Sequence, residues 1–214
     1  MENKAFQDKN DLYYNAFKWQ IVPLIPEGPH AVLDLGCGAG IFGRRLREQN
    51  KAREVVGVEI FDEAADEAAK HYEKVYVGDV EQIDLDYPNY FDFVICGDIL
   101  EHLNDPWRML GRIKTWLKTG GHVLVSIPNV RYWRVLRDLV FRGDWKYRDA
   151  GILDRTHLRF FTKKSFLRAV REAGYSVAYS GFLIYGVKQN FFNKATFGLF
   201  ESLMGTMIIV LGRK

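Results

Sequence analysis

Val32-Leu33-Asp34-Leu35-Gly36-Cys37-Gly38-Ala39-Gly40 is the most informative stretch of this chain. A short apolar run ends at an acid, three glycines follow at alternate positions, and an amphipathic segment begins at Ile41. That is the order of a buried strand, a tight turn and a helix start. Glycine has no Cβ to keep a ligand away from the turn's backbone and its N–H groups. Turns of this kind serve nucleotide-type ligands in general. The dinucleotide fingerprint Gly-x-Gly-x-x-Gly, begun at Gly36, needs a third glycine where the chain has Ile41, so that reading fails.

The neighbouring segments alternate in the same way. Ala31 to Leu35 reads as a first strand and Ile41 to Asn50 as its helix, with Phe42 and Leu46 inward. Glu54 to Glu59 is apolar enough for a strand buried on both faces, and it ends in Glu59, 23 residues after Gly36. An acid at that place can accept hydrogen bonds from both hydroxyls of a ribose. Phe61 to Tyr72 reads as a helix with Asp62, Glu63 and Asp66 in its early turns, Lys74 to Val77 as a strand leading to Gly78-Asp79-Val80, and Phe91 to Cys96 as a strand leading to Gly97-Asp98. A helix from Pro106 to Leu117 stops at Thr119-Gly120-Gly121, and His122 to Ile127 is the fifth strand. The alternation predicts a three-layer α/β fold with a doubly wound, mostly parallel sheet. Gly36 to Gly40, Glu59, Asp79 and Asp98 all fall at strand carboxyl ends, the edge where such sheets bind ligands.

Beyond Pro128 the pattern changes. Residues 131–148 hold six basic residues against Asp138 and Asp144, interleaved with Trp133, Phe141 and Trp145. Trp133, Leu136, Leu139 and Val140 have helical spacing and should pack onto the domain. Thr162 is placed to cap a helix from Lys163 to Ala173 that stops at Gly174. Tyr175 to Ile184 and Thr206 to Gly212 read as two closing strands, separated by a polar–aromatic excursion from Lys188 to Ser202. At the other end, Tyr14, Phe17, Ile21 and Leu24 suggest a helix from about Asp8 to Ile25.

The bulk numbers bound the protein class. A chain of 214 residues with 48% apolar and 27% charged residues is sized for one α/β domain over 1–214, with 129–162 as an insert on the acceptor side. A net charge of +3 is too small to point to nucleic acid. Cys37 and Cys96 have no partners at metal-ligand spacing, and no metal is expected. The start Met1-Glu2-Asn3-Lys4 lacks a signal-peptide core, and Met207 to Leu211 is too short for a membrane span, so a cytoplasmic location is expected. His71 reads as a helix-end residue and His122 as a structural histidine.

Taken together, Val32 to Gly40, Val58-Glu59, Gly78-Asp79-Val80 and Asp98-Ile99-Leu100-Glu101-His102-Leu103 resemble the successive motifs of class I S-adenosylmethionine-dependent methyltransferases, closest to the MetW-like and ubiquinone-biosynthesis-type O-methyltransferase group. The resemblance implies a Rossmann-like sheet of seven strands with the last antiparallel. It implies S-adenosylmethionine as cofactor and S-adenosylhomocysteine as product. The cofactor set carried over is Tyr14, Asp34, Gly36, Cys37, Gly38, Gly40, Glu59, Ile60, Gly78, Asp79, Val80, Gly97 and Asp98, with Asp79 and the Val80 N–H at the adenine edge and a tyrosine of the first helix, Tyr13 or Tyr14, closing over the cofactor.

Methyl transfer to a hydroxyl needs somewhere for the proton to go. His102, after the fourth strand, and His157, in the acceptor segment, are the candidates, because histidine titrates near neutrality. Arg131, Arg134, Arg155 and Arg159 suit a carboxylate or phosphate on a small or sugar-linked acceptor. No nucleic-acid partner is expected, since the Asn/Asp-Pro-Pro-Tyr/Phe signature is absent after strand four. The sequence leaves open a homodimer, a weak membrane-surface contact through 131–148, and a non-catalytic cofactor-binding module that regulates a partner enzyme.

Overall fold

A computed structural model describes residues 21–214. Tyr14 and most of the Asp8–Ile25 helix lie outside the described residues; inside them, Val22–Leu24 forms a single 3-10 turn. Seven strands form one sheet: β1 (Ala31–Leu35), β2 (Glu54–Glu59), β3 (Lys74–Val77), β4 (Phe91–Gly97), β5 (Leu117–Pro128), β6 (Ser176–Leu183) and β7 (Met207–Arg213). Their order is β3-β2-β1-β4-β5-β7-β6. β1 runs parallel to β2 and β4, and β7 is inserted antiparallel between β5 and β6. The expected seven-stranded sheet with an antiparallel last strand is the one observed.

Strand periodicity distributes the core over both faces. Leu33, Leu35, Val56 and Val58 join one apolar cluster, completed by Met109, Leu110 and Ile113 of α3 (Pro106–Trp116) and Phe166 and Val170 of α5 (Lys163–Glu172). Val32 and Val55 join the other, with Phe42 and Leu46 of α1 (Ile41–Glu48) and Ala68 of α2 (Asp62–Ala68). A sheet buried on both faces under helices gives the three layers. Thr162 caps α5 as expected, its Oγ1 accepting from the Ser165 N–H at 3.2 Å while the Ser165 hydroxyl receives the Thr162 N–H at 3.0 Å.

Three expectations are corrected. α2 ends at Ala68, not Tyr72, because the chain turns there and carries the Tyr72 ring into the core. β5 begins at Leu117, not His122, and the ladder shifts register between Phe91 and Phe93 to absorb the Thr119-Gly120-Gly121 kink. The polar–aromatic excursion between the closing strands, to which the sequence assigns no element, holds α6 (Val187–Ala195) and α7 (Glu201–Met204). In α4 (Trp133–Arg142) only Val135 is buried; Val140 and Phe141 are 69% and 83% exposed, so the helix docks by its first half and its end projects.

Candidate functional site

The glycine turn has an unexpected economy of donors. The Gly36 and Cys37 N–H groups both reach the Val58 carbonyl, at 2.8 and 3.1 Å, and the Gly40 N–H returns to the Cys37 carbonyl at 3.1 Å. The Gly38 N–H goes to Glu59 Oε2 at 2.8 Å. These donors serve the turn itself, so what the turn offers a ligand is room. Gly38, at φ +54°, would place a Cβ in open space, whereas a Cβ at Gly40 would stand 2.8 Å from the Ala68 Cα. Gly40 lets α1 and α2 meet, and Gly38 faces open space.

Two buried acids hold this turn. Asp34, at the end of β1, accepts from the Tyr72 hydroxyl at 2.6 Å, and that hydroxyl accepts the Gly43 N–H at 3.0 Å. Burial first, and then the Asp34 charge, push the Tyr72 phenol well above its usual value, so it stays a donor. Asp34 thus braces α1 from beneath, and Cys37 is likewise fully buried with its thiol against Gly57. Glu59 is 7% exposed; besides Gly38 it accepts the Ile60 and Phe61 N–H groups at 2.9 and 3.1 Å. A carboxylate has about four acceptor positions, which leaves room for a ribose hydroxyl. Ile60 next to it is 58% exposed, an apolar surface suited to the face of a base.

Asp79 follows β3 and Gly78, and its carboxylate organises the next turn, accepting from the Glu81 N–H at 2.9 Å and Gln82 Nε2 at 2.8 Å. Val80 is buried in the core beside it. A cleft of about 270 Å³ opens from Asp79 towards Asn104 and Met109. Asp98, after Gly97 of β4, takes a left-handed φ of +56° and accepts the Ser126 hydroxyl at 3.1 Å. The Tyr185 hydroxyl, two residues beyond β6, is buried with no hydrogen-bond partner among the described residues; burial and then the charge of Asp98 raise it above the usual phenol range.

Ile99 joins the two halves of the site, because its Cδ1 occupies the space where a Gly36 Cβ would be, 2.6 Å away. Two residues further on, Glu101 is 1% exposed, and its carboxyl has no hydrogen-bond partner among the described residues beyond its own backbone N–H. Its backbone carbonyl accepts the Leu158 and Arg159 N–H groups at 2.8 and 3.0 Å, which brings the 154–162 segment to the end of β4. His157 Nε2 lies 4.0 Å from Glu101 Oε1, and the His102 and His157 rings meet edge to face with centroids 4.8 Å apart. Burial raises Glu101 well above the carboxylate range, helped by Asp98, and burial lowers both histidines. The structure therefore unites His102 and His157, 55 residues apart in sequence, around an acid that was not among the expected site residues. Tyr72 and Tyr185 were missed as well. Of the arginines, Arg155 is open to solvent, whereas Arg159 reaches the Leu158 and Asn104 carbonyls.

A family model described as a methyltransferase domain matches residues 12–180. The chain belongs to this methyltransferase-domain family. Its cofactor is S-adenosylmethionine, and the open face of Gly38, the Glu59 carboxylate and the exposed Ile60 fit a nucleoside there. Among curated proteins, the chain is 30% identical over 105 residues to a ubiquinone biosynthesis O-methyltransferase of Acinetobacter baylyi, covering 46% of this chain and 43% of that one. It is 31% identical over 120 residues to the protein of the same name from Coxiella burnetii, covering 53% and 50%. The chain thus spans about half the length of the curated relatives it matches. Crystal structures of S-adenosylmethionine-dependent methyltransferases share the fold: one from Archaeoglobus fulgidus superposes with a TM-score of 0.72 at 17% identity, covering 98% of this chain and 99% of that one. One from Mesorhizobium loti gives 0.66 at 20% identity, covering 92% and 97%. No helix among the described residues is long and apolar enough to cross a membrane.

Proposed function

We propose that this chain transfers a methyl group to an oxygen of a small or sugar-linked, anionic acceptor. The observation that carries the reading is the Glu101–His102–His157 cluster, set beside the glycine turn through the Ile99–Gly36 contact. S-adenosylmethionine supplies an already activated methyl group. The chain's task is then to hold the acceptor in near-attack geometry, which is worth ~7–11 kcal/mol of barrier, and to receive the proton that a hydroxyl loses. Gly38, Glu59, Ile60 and the Asp79 turn would hold the cofactor, with the backbone at Gly97-Asp98 beside them. Burial lowers both His102 and His157 and favours their neutral forms, and their Nδ1 atoms face the Thr156 and Ile152 carbonyls at 3.2 and 3.0 Å, so each Nε2 keeps a lone pair for a hydroxyl proton. Exposed Arg131, Arg134 and Arg155 supply charge for an acceptor carboxylate or phosphate.

The test is release of S-adenosylhomocysteine over a panel of hydroxyl acceptors with and without an anionic group. Turnover of anionic hydroxyl acceptors, reduced at least about tenfold in His157→Ala with S-adenosylmethionine affinity unchanged, is expected. Cofactor binding without turnover on any acceptor would favour a non-catalytic module instead.

A further inference from the structure

We infer that the edge of the sheet at which β5 and β6 end carries a docking surface for an anionic lipid bilayer, formed by the tip of α4 and the α6–α7 connection. Pro128 of β5 and Leu183 of β6 both stand opposite Met207, the first residue of β7. α4 follows β5, and α6 and α7 join β6 to β7, so both segments leave the sheet at this one edge. Asn129 ties them together there, its Nδ2 donating to the Ser202 and Gly205 carbonyls. Each segment turns large apolar side chains to solvent. Leu139, Val140 and Phe141 do so at the tip of α4. Phe191, Phe197 and Leu199 do so between β6 and β7, at 73, 100 and 78% exposure. Single exposed apolar residues are ordinary; a run at a helix end, repeated on the segment tied to it, marks a surface that meets something apolar.

Charge identifies the occupant. Residues 131–148 hold six basic residues against two acids, and one of the two, Asp138, is already paired with Arg137 and Arg142 at 2.7 and 3.1 Å. Arg131, Arg134, Lys146 and Arg148 are exposed and have no salt-bridge partner among the described residues. Lys194 adds an exposed cation to α6. Apolar tips accompanied by cations match an anionic bilayer, which takes the apolar side chains beneath its headgroups and the cations beside its phosphates. Each basic side chain near such a surface is worth roughly fivefold in affinity. A nucleic-acid backbone would use the arginines and leave Val140, Phe141 and Phe197 in water. Trp133 and Trp145 are not part of the apolar tips: Arg134 and Arg137 lie over the Trp133 ring, and Trp145 packs edge to face on Phe160. The sequence alone leaves open a contact through 131–148; the exposed end of α4 and the second segment are what the fold contributes. The same edge receives the carboxyl ends of β1, β2 and β4, and with them the glycine turn. A bilayer here would lie on the side of the sheet where folds of this type bind their ligands.

The unsubstituted chain is sedimented with vesicles of phosphatidylcholine alone and with vesicles holding about one third phosphatidylglycerol, at low salt and at about 0.5 M salt. Binding at least about tenfold tighter to the anionic vesicles, and weakened at least about tenfold by the salt, is expected. Val140→Ser with Phe141→Ser, and separately Phe197→Ser with Leu199→Ser, should each weaken it at least about tenfold. Lys146→Gln with Arg148→Gln should do the same, whereas Lys70→Gln, near the start of β3 at the opposite edge, should bind as wild type. Unchanged S-adenosylmethionine affinity certifies the fold of each variant, and the two apolar pairs are independent, so if one fails to fold the other decides. Failure to bind anionic vesicles overturns the inference, as does binding that is indifferent to phosphatidylglycerol or that both apolar pairs leave intact. A dimer without vesicle binding, dissolved by the apolar substitutions in sedimentation velocity, also overturns it and assigns the face to a second copy of the chain. None of these readouts involves methyl transfer, so their outcome is separate from the acceptor reading, which is scored by S-adenosylhomocysteine release.

Discussion

At the scale of single residues, Glu59 carries two tasks with one carboxylate. It ties Gly38 to the end of β2 and fixes the Ile60-Phe61 turn, and with three accepted bonds it retains acceptor capacity for a ligand. Glu59→Ala should therefore raise the S-adenosylmethionine Kd at least about tenfold, since hydrogen bonds to a charged acceptor are worth ~1.5–3 kcal/mol each. It should also lower the melting temperature of the cofactor-free chain, which a purely ligand-facing acid would not do; calorimetry and thermal melting read the two effects separately. The acid's place was legible in the sequence, because it ends an apolar run after the glycine turn. Its internal bonds were not, since backbone N–H groups carry no residue identity. His122 offers a different residue-scale check. Burial, then Arg213 of β7 and His30, hold its imidazole below 6.5, and its ring stacks on Phe93 with centroids 5.4 Å apart. A group with a lowered folded-state value contributes stability that is intact above 6.5 and lost as pH falls through the folded value. His122→Phe keeps the stack and removes the titration, so its melting temperature relative to wild type should rise as pH is lowered from 7 to 5.

Elements follow sequence pattern where one face or both faces are uniformly buried. β1 to β4 alternate between two apolar clusters, and their limits were readable to within a residue from apolar runs and the turns after them. β5 was not, because Lys118-Thr119-Gly120-Gly121 reads locally as a helix stop while tertiary pairing of Phe91 with Leu117 extends the strand through it. α4 misled in the opposite sense: its apolar residues have helical spacing, yet only its first half meets the domain. The α1–α2 pair shows what close packing demands of a helix. A Cβ at Gly43 would stand 2.3 Å from the Tyr72 ring, whose hydroxyl links Asp34 to α1. Gly43→Ala should cost about 1–3 kcal/mol by overpacking, measured as a lowered urea midpoint. It should also weaken S-adenosylmethionine, because displacing Tyr72 loosens the brace under the glycine turn. Gly111→Ala, mid-helix in α3 where a Cβ meets nothing within 4 Å, is the matched control: it should leave S-adenosylmethionine binding unchanged and raise the urea midpoint slightly, by about 0.5–1 kcal/mol of helix propensity.

Over the whole molecule, the proposed donor half of the site is local in sequence and the proposed acceptor half is assembled. The donor half uses strand ends between residues 34 and 98, which the βα alternation delivers to one edge, and that is why it could be placed from the chain alone. The acceptor half joins residues 101–102, 129–131, 157–161 and 202–206 through contacts that no periodicity encodes. Asn129 is the knot among them. It is fully buried; its Nδ2 donates to the Ser202 and Gly205 carbonyls at 2.9 and 2.7 Å, and its Oδ1 receives the Arg131 N–H at 3.1 Å. Its own N–H meets the Thr206 carbonyl at 2.9 Å, and it bridges to Phe161. Asn129→Ala deletes the side-chain bonds and leaves buried partners unsatisfied, at a cost of about 2–4 kcal/mol. If the donor and acceptor halves are separable, the variant should keep S-adenosylmethionine affinity within about twofold while protease cleavage between 187 and 204 accelerates at least about tenfold. Equal loss of cofactor binding and protease resistance would mean that the sheet edge and the segment above it form one cooperative unit, with the acceptor segment anchored by the same free energy that holds the glycine turn.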